Sequence, residues 1–397
     1  MSGSVAAVLV GCLSLVGCLS GSSSPTVAAT PTATATATPS PTVSPTPVPS
    51  PTKAIVSGLP SDQRRLVRGA TIGGAISPKS VEATGFGLVF AQNMMYKHSV
   101  TVYGSNGRLT RTISDSVRLS DFGISGHPGT SRGAPVEATF SPDGKYAYVS
   151  NYSMYGAGHG PEGLDSCSPS SSRSRGETPS FVYRISTTSL RIDKVVKVGL
   201  VPKFVRVSPD GRYLLVTNWC SFDMTVVDLA RWRVVKTVSL GSHPRGIAVS
   251  PDSRTAYVAV MGSSHLSVVN MSTWRVTDTI TVGRSPRHVV MDPAGRHVYV
   301  TLNGGGTVVK VSTSTRRTVD RVSTGSQPRS AAIAADGRSL YVVNYSSNTV
   351  SKVRTLDMRV LQTVKTGVHP IGITYDPVTK DVWVAVYTGQ LLVLHDR

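Results

Sequence analysis

The sequence predicts an all-β fold, a seven-bladed β-propeller with about 42 residues in each blade. Two observations predict it: a fixed sequence period, and four short strand-like segments within each period. Five prolines follow one another at intervals of 42 residues: Pro202, Pro244, Pro286, Pro328 and Pro370. A constant period of this length indicates a repeat architecture.

One copy shows the content of the repeat. Apolar, largely β-branched runs cover residues 246–250, 257–261, 266–270 and 276–282, and Pro251-Asp-Ser253 is a turn sequence. Four short strands of this kind form one propeller blade, whereas helical repeats of similar length would show an apolar period of 3.6 residues. No helical period appears in the sequence, so the unit is a blade.

The blade count follows from the copies upstream. A sixth copy begins at Pro135, which precedes Pro202 by 67 residues, so it carries 25 extra residues. These form a Gly/Ser-rich insert at about 153–180, between the second and third strands of that copy. Residues 81–103 form a seventh copy, in which the Val-Glu-Ala-Thr sequence of residues 136–139 recurs.

The two ends of the repeat region complement each other. The last copy stops after its third strand at residues 391–395, and residues 64–73 resemble a fourth-strand segment. We expect this N-terminal strand to complete the last blade and so remove an open sheet edge. The alternative is that residues 64–73 form a loose tether.

A recurring second-strand sequence gives a family resemblance. It reads Tyr148-Val-Ser-Asn151, Leu215-Val-Thr-Asn218 and Tyr341-Val-Val-Asn344, and a Ser-Pro-Asp-Gly turn precedes the first two. These words resemble the YVTN β-propeller repeats over roughly residues 64–397. The resemblance implies an extracytoplasmic surface or binding protein without a shared catalytic motif, because propellers host many unrelated functions.

The N-terminus predicts export. Residues 1–17 resemble a bacterial lipoprotein signal peptide, and Leu15-Val-Gly-Cys18 resembles its lipobox, so Cys18 is the candidate lipidation site. Residues 1–10 contain no Lys or Arg, which is unusual for a signal peptide and would be explained by a misassigned start codon. The expected location is the outer face of the cell membrane, or outside the cell if the signal is simply cleaved.

The next segment, residues 18–53, is rich in Ser, Thr, Pro and Ala. Such a composition cannot bury a core, so we expect an extended stalk, and O-glycosylation is a hypothesis for it. The propeller then occupies residues 54–397. Cys167, in the insert, and Cys220, in the next blade, fall in loops on one face, and we expect them to form a disulfide.

The charge favours anionic partners. The chain has 41 Lys and Arg against 22 Asp and Glu, a formal net charge of +19. An anionic cell-wall polymer, a peptide or a surface protein would suit this charge. The alternative is that the positive charge only keeps the protein surface solvated and does not indicate a partner. No cofactor or metal ion is expected, a monomer is expected, and single-stranded nucleic acid is the weaker alternative partner.

Candidate ligand-binding residues recur at two repeat positions. The residue after the repeat proline, at the start of the innermost strand, is basic in four consecutive blades: Lys203, Arg245, Arg287 and Arg329. The residue after the second strand is aromatic in four blades: Tyr152, Trp219, Tyr345 and Tyr387. Cations and aromatic planes together bind sugars, peptides or bases. The alternative is that the aromatic rings pack between blades.

Acid–base chemistry is a further alternative. Glu82 and Glu137 occupy the two Val-Glu-Ala-Thr words, and we expect them side by side near the same end of the channel. His243 and His369 each precede a repeat proline, where Ser285 and Gln327 stand in other blades. No motif joins a base, a nucleophile and an orienting group, so the sequence favours a binding or interaction scaffold over a lyase or oxidoreductase.

Overall fold

The computed structural model describes residues 58–397, which form seven antiparallel sheets. The predicted seven-bladed propeller is confirmed. Blades 3 to 6 are regular four-stranded sheets. Blade 3 comprises Pro202–Val207, Tyr213–Asn218, Asp223–Asp228 and Arg233–Ser239; blade 4, Pro244–Val249, Thr255–Val260, His265–Asn270 and Arg275–Thr281. Blade 5 comprises Pro286–Met291, His297–Leu302, Thr307–Ser312 and Arg317–Ser323; blade 6, Pro328–Ile333, Ser339–Asn344, Thr349–Arg354 and Arg359–Lys365.

Blade 1 is also four-stranded, with a short first strand, whereas blade 2 departs from this pattern. Blade 1 comprises Ser80–Ala83, Leu88–Asn93, Ser99–Gly104 and Leu109–Ser114. Blade 2 comprises Ser131–Phe140, Tyr146–Tyr155, Phe181–Ser186 and Arg191–Lys197, with a fifth strand of two residues, Ser116–Val117. The predicted insert lies between the second and third strands of blade 2 and contains the short helix Pro169–Ser174. Two 3₁₀ turns, Ser61–Gln63 and Leu119–Phe122, complete the elements.

The N-terminal strand closes the ring, as predicted. Blade 7 comprises Pro370–Asp376, Asp381–Val386 and Gln390–Asp396, and Leu66–Ile72 pairs antiparallel with the last of these. The fourth strand of the last blade therefore comes from the opposite end of the repeat region. Within residues 58–397, no helix has both the length and the hydropathy needed to span a membrane.

The Ser-Pro-Asp-Gly turns are structural. In blade 3, Ser208 Oγ donates to Asp210 Oδ1 at 2.5 Å, and the same carboxylate accepts from the backbone N–H of Arg212. Gly211 follows with φ of +70°, a conformation that glycine adopts without strain. The turn joins the first and second strands at the end of the channel away from the repeat prolines.

Apolar packing between neighbouring blades forms the core. One cluster joins Phe204, Leu215 and Met224 of blade 3 to Ile247 and Val258 of blade 4, each at most 5% exposed. Burial of such side chains stabilises the fold by roughly 1.5–3 kcal/mol each. Because these contacts run from blade to blade, they fix the first strands around the central channel.

Candidate functional site

The channel end at which the first strands begin is called the mouth. Strand register brings one residue of every blade to it. In blade 5, Pro286 pairs with Leu302 and His288 with Thr301, which leaves Arg287 in a bulge at the channel. The equivalent residues all line one cavity at the mouth: Lys79, Val136, Lys203, Arg245, Arg287, Arg329 and Ile371. Five of the seven are cations.

Lys79 was not among the residues predicted from sequence. Ser80 pairs with Gln92, and the Lys79 N–H donates to the Gln92 carbonyl at 2.7 Å. Gln92 precedes Asn93 as Thr217 precedes Asn218, so Lys79 occupies the position of Lys203. An alignment of the blades on the asparagine that ends the second strand would have identified Lys79. The alignment on the shared Val-Glu-Ala-Thr sequence instead gave a register that is wrong by two residues.

The second strands contribute a second ring of residues to the same cavity. They are Met94, Tyr152, Trp219, Met261, Asn303, Tyr345 and Tyr387. All four predicted aromatic residues are therefore together with all four predicted cations. The cavity has a volume of about 350 Å³, which suits a small molecule or one unit of a polymer.

The insert covers the mouth on the side of Lys203. Lys203 forms an ion pair with Asp165, and its Nζ lies 4.3 Å from the ring centre of Trp219 and 5.1 Å from that of Tyr152. The Tyr152 hydroxyl donates to Asp165 Oδ1 at 2.9 Å, and Trp219 Nε1 donates to the Asp165 carbonyl at 2.9 Å. Two predicted aromatic residues therefore hold the insert in place.

A disulfide fixes the same segment of the insert. Cys167 bonds to Cys220, 53 residues further along the chain, as predicted. Because Cys167 lies two residues after Asp165 and Cys220 directly follows Trp219, the bond holds Asp165 against Lys203. Lys203 thus has an internal anionic partner.

The arginines of blades 4 to 6 are held differently. The Arg329 guanidinium lies 3.5 Å above the ring centre of Tyr345, and its Nε is buried without a hydrogen-bond partner. Arg287 donates to the backbone carbonyl of Arg329. Arg245 lies 3.8 Å from Glu137 Oε1, its nearest carboxylate contact. Arg245 and Arg287 are only 5% and 6% exposed. The fold therefore buries several positive charges together, with few carboxylates near them.

The pKa shifts of the ionisable groups at the mouth show that their charges interact. Burial lowers the pKa of Lys203 to about 7, against the attraction of Asp165, and Arg245 adds repulsion. Burial, and then the neighbouring Arg245 and Arg329, lower the pKa of Arg287, although a guanidinium stays protonated in proteins. The pKa of Asp165 falls to about 2, because Lys203 and the Tyr152 hydroxyl outweigh its desolvation. An added anion would relieve the repulsion among the cations.

The expected placement of Glu82 beside Glu137 at the mouth is wrong. Glu82 pairs with Phe90 and Glu137 with Ser150, so Glu82 lies two register positions further along the channel, level with Thr139. Glu82 lines a separate cavity towards the opposite end. Glu137 lines the same separate cavity, where burial raises its pKa and the charges of Lys79 and Arg245 oppose that rise.

The two candidate histidines occupy turn positions outside the mouth. His243 Nε2 lies 3.2 Å from the Cys167 carbonyl oxygen, which only accepts, so this nitrogen donates and is not available as a base. His369 stacks on Tyr345 at 4.3 Å. The residue before each repeat proline has the same positive φ, including Val201 at +53°, which supports the turn interpretation. Among residues 58–397, no group of three His, Cys, Asp or Glu is placed to hold a metal ion.

Comparisons with known proteins agree with this architecture. A family model described as YNCE-like β-propeller matches residues 174–296. Among solved structures, Kuenenia stuttgartiensis hydrazine synthase superposes with a TM-score of 0.64 at 19% identity, over 83% of this chain and 98% of that chain. At this identity the likeness shows the fold alone. No curated protein matches the chain.

Proposed function

Since this chain is a seven-bladed β-propeller of the YVTN type, we propose that it is a ligand-binding scaffold whose mouth binds an anionic group. One observation carries the proposal: a single repeat position supplies five basic side chains, three of them arginines, to one cavity of about 350 Å³. Among residues 58–397, two carboxylates, those of Glu162 and Asp165, line that cavity with them. Buried like charges destabilise a fold, so a bound anion accounts for their clustering.

The volume of the cavity at the mouth limits the size of the ligand. About 350 Å³ holds one phosphate, sulfate or carboxylate unit with a short attached chain. Tyr345, Tyr387 and Met261 supply an apolar contact surface beside the arginines. The proposed ligand is therefore a small anion, or a single charged unit of a cell-wall polymer, an acidic peptide or a surface protein.

The proposed cellular setting rests on the N-terminal sequence. A lipid on Cys18 and a stalk over residues 18–53 would hold the propeller outside the cell membrane. The predicted lipidation site and the predicted stalk both lie outside the described residues. In that setting the mouth would meet wall polymers and surface proteins, whose phosphates and carboxylates match its charge.

Sulfate titration of the full-length protein tests the proposal, followed by thermal unfolding. A ligand that binds only the folded state raises the melting temperature with concentration. We expect a saturable rise for the wild type, its loss when Arg245, Arg287 and Arg329 are changed together to Ala, and its retention when they are changed to Lys. The Lys variant keeps the charge and reports whether the fold tolerates substitution there.

The repeat provides a matched control. Arg254, Arg296 and Arg338 follow the first-strand turns of the same three blades, at the other end of the strands, and are exposed. Changing them to Ala removes the same charge, and the sulfate response should persist. An equal loss in both triple variants would mean that net charge, and not the mouth, binds the anion. The steepness with which binding falls as salt rises would rank teichoic-acid polymer, acidic peptide and single-stranded DNA, because each additional phosphate contact steepens the fall, whereas a single bound unit gives a shallow one.

A further inference from the structure

A second cavity lies in the channel towards the end opposite the mouth. Its volume is about 390 Å³. Most of its lining side chains are apolar, and five ionisable side chains also line it: Glu82, Glu137, Arg206, His288 and Tyr375. An apolar cavity with a few converging polar groups is the usual form of a small-molecule site.

His288 presents an unused ring nitrogen. Its Nδ1 lies 2.7 Å from Ser330 Oγ, and the edge of Phe204 packs on the ring at 5.2 Å. Its Nε2 is buried and has no hydrogen-bond partner among the described residues. Burial, and then the charges of Arg206 and Arg287, hold the pKa of His288 well below its usual value, so the ring is neutral. A neutral ring can donate from Nε2 while Nδ1 accepts from Ser330.

Arg206 is a cation without an anionic contact. Among residues 58–397, no carboxylate lies within ion-pair distance of its guanidinium, which packs 5.5 Å from the Phe204 ring centre. Its Nε is buried and unpartnered. A guanidinium offers five donors arranged to match a carboxylate, and leaving buried donors unpaired costs free energy.

Glu82 completes the set as a carboxyl that can exist in either protonation state near neutral pH. Burial raises its pKa to about 7, against the opposing charge of Arg206, and Glu137 adds to the rise. When protonated, it donates one hydrogen bond. The other ionisable groups that line the cavity are Glu137, whose nearest cation is Arg245 on the mouth side, and Tyr375, which accepts a hydrogen bond from Arg64.

We propose that this cavity binds a short-chain monocarboxylate, with Arg206 and His288 Nε2 donating to its carboxylate and protonated Glu82 donating a third hydrogen bond. The alkyl chain would contact the apolar wall, which includes Ala248, Val289 and Ile373. Among the described residues, Arg206 is the one Lys or Arg that lines this cavity, so a monoanion fits it better than phosphate. The site is distinct from the mouth, because the two cavities share no lining residue.

The protonation of Glu82 fixes the pH dependence. Below pH 7 the carboxyl is neutral and donates, whereas above pH 7 its charge repels the ligand and attracts Arg206. If only the protonated form binds, affinity falls by about tenfold from pH 6 to pH 8. Butyrate stays ionised over this range, so it is a suitable probe.

Butyrate binding to the full-length protein, followed by calorimetry at pH 6 and pH 8, tests the proposal. We expect saturable binding at pH 6, uptake of protons on binding near pH 7, and loss of at least about tenfold in affinity for Arg206→Gln. Glu82→Gln should bind butyrate equally at both pH values. The triple Arg-to-Ala variant at the mouth should bind butyrate as the wild type does.

A measurement on the unaltered protein guards against misfolded variants. The ring ¹⁵N signals of His288, assigned from their absence in His288→Asn, should shift on butyrate addition, and those of His369 at the other end should not. Absence of saturable binding at pH 6, or butyrate binding that is lost at the mouth variant and kept by Arg206→Gln, would overturn the proposal. In the triple Arg-to-Ala variant of the mouth, phosphate binding tighter than butyrate binding would contradict the ligand class.

Discussion

This propeller buries two groups of cations, which differ in how closely carboxylates of the chain approach them. Where the ring closes, Lys352 of blade 6 and Arg64 converge on Asp396 of blade 7; these three residues are called the closure cluster. Lys352 and Asp396 have no exposed side-chain surface, Arg64 Nε lies 3.0 Å from Asp396, and the Tyr341 hydroxyl donates to Asp396 at 2.7 Å. Among residues 58–397, the one carboxylate within ion-pair distance of Arg245, Arg287 or Arg329 at the mouth is Glu137, 3.8 Å from Arg245.

This difference indicates that the buried charges of the closure cluster stabilise the fold, whereas those of the mouth are suited to binding a ligand. In the closure cluster, the Lys352 ammonium also donates to the Arg64 carbonyl at 2.8 Å, so contacts within the chain satisfy it. At the mouth, Arg245 and Arg329 both add repulsion on Arg287. One carboxylate, Asp396, compensates the two cations of the closure cluster within the chain, whereas a bound anion is proposed to compensate the arginines of the mouth.

The largest expected effect is on stability at the closure cluster. Asp396→Ala would leave Lys352 buried beside Arg64 without its carboxylate, which costs about 3–5 kcal/mol of unfolding free energy. Denaturant unfolding measures the loss. The control is Asp357→Ala, since Asp357 pairs with Arg354 on the surface and its removal should leave stability unchanged. Equal stability of the two variants would show that the closure cluster does not hold the ring together.

The next effect concerns the covered side of the mouth. Asp165→Asn removes the carboxylate paired with Lys203. This change also lowers the pKa of Lys203, so it is made together with Lys203→Arg, whose guanidinium stays charged. Relative to Lys203→Arg alone, loss of the carboxylate should raise sulfate affinity by about threefold to tenfold. Sulfate titration measures it. Asp193→Asn, which breaks the pair with Arg184 on blade 2, removes the same charge away from the mouth and should change nothing. A rise in both variants would point to net charge alone.

The smallest expected effect is a pH dependence. Because the pKa of Lys203 is lowered to about 7, its charge is present below pH 7 and is lost as the pH rises above it. Sulfate affinity of the wild type should therefore fall by roughly threefold between pH 6 and pH 9. Lys203→Arg keeps its charge and should reduce the fall to the part contributed by Lys79, whose pKa burial and Arg245 also lower. Glu82→Gln should leave the fall unchanged. A fall of unchanged size in Lys203→Arg would assign the titration to another group.

The sequence was sufficient for the fold because each blade repeats the same strands and turns at a fixed interval. The missing fourth strand of blade 7 also left a visible gap in the pattern, which Leu66–Ile72 fills. The cations of blades 3 to 6 were predictable because they follow a repeat proline. Lys79 and Glu82 were not placed, because blade 1 lacks that proline and its shared words lie two residues out of structural register.

Contacts between distant segments set the rest of the site. Asp165 comes from an insert without repeat spacing, so no pattern could place it on Lys203. The cavity of Glu82, Arg206 and His288 gathers residues from three blades at two different register positions. Such convergence depends on where the channel narrows, which side-chain packing determines.

An anomalous difference map from crystals of the protein soaked in selenate would locate the bound anion. We expect a selenate peak at the mouth, within hydrogen-bond distance of at least two of Arg245, Arg287 and Arg329, and its disappearance in the triple Ala variant. Peaks only at exposed arginines such as Arg254, Arg296 and Arg338, with none at the mouth, would contradict the proposal that the mouth binds an anion.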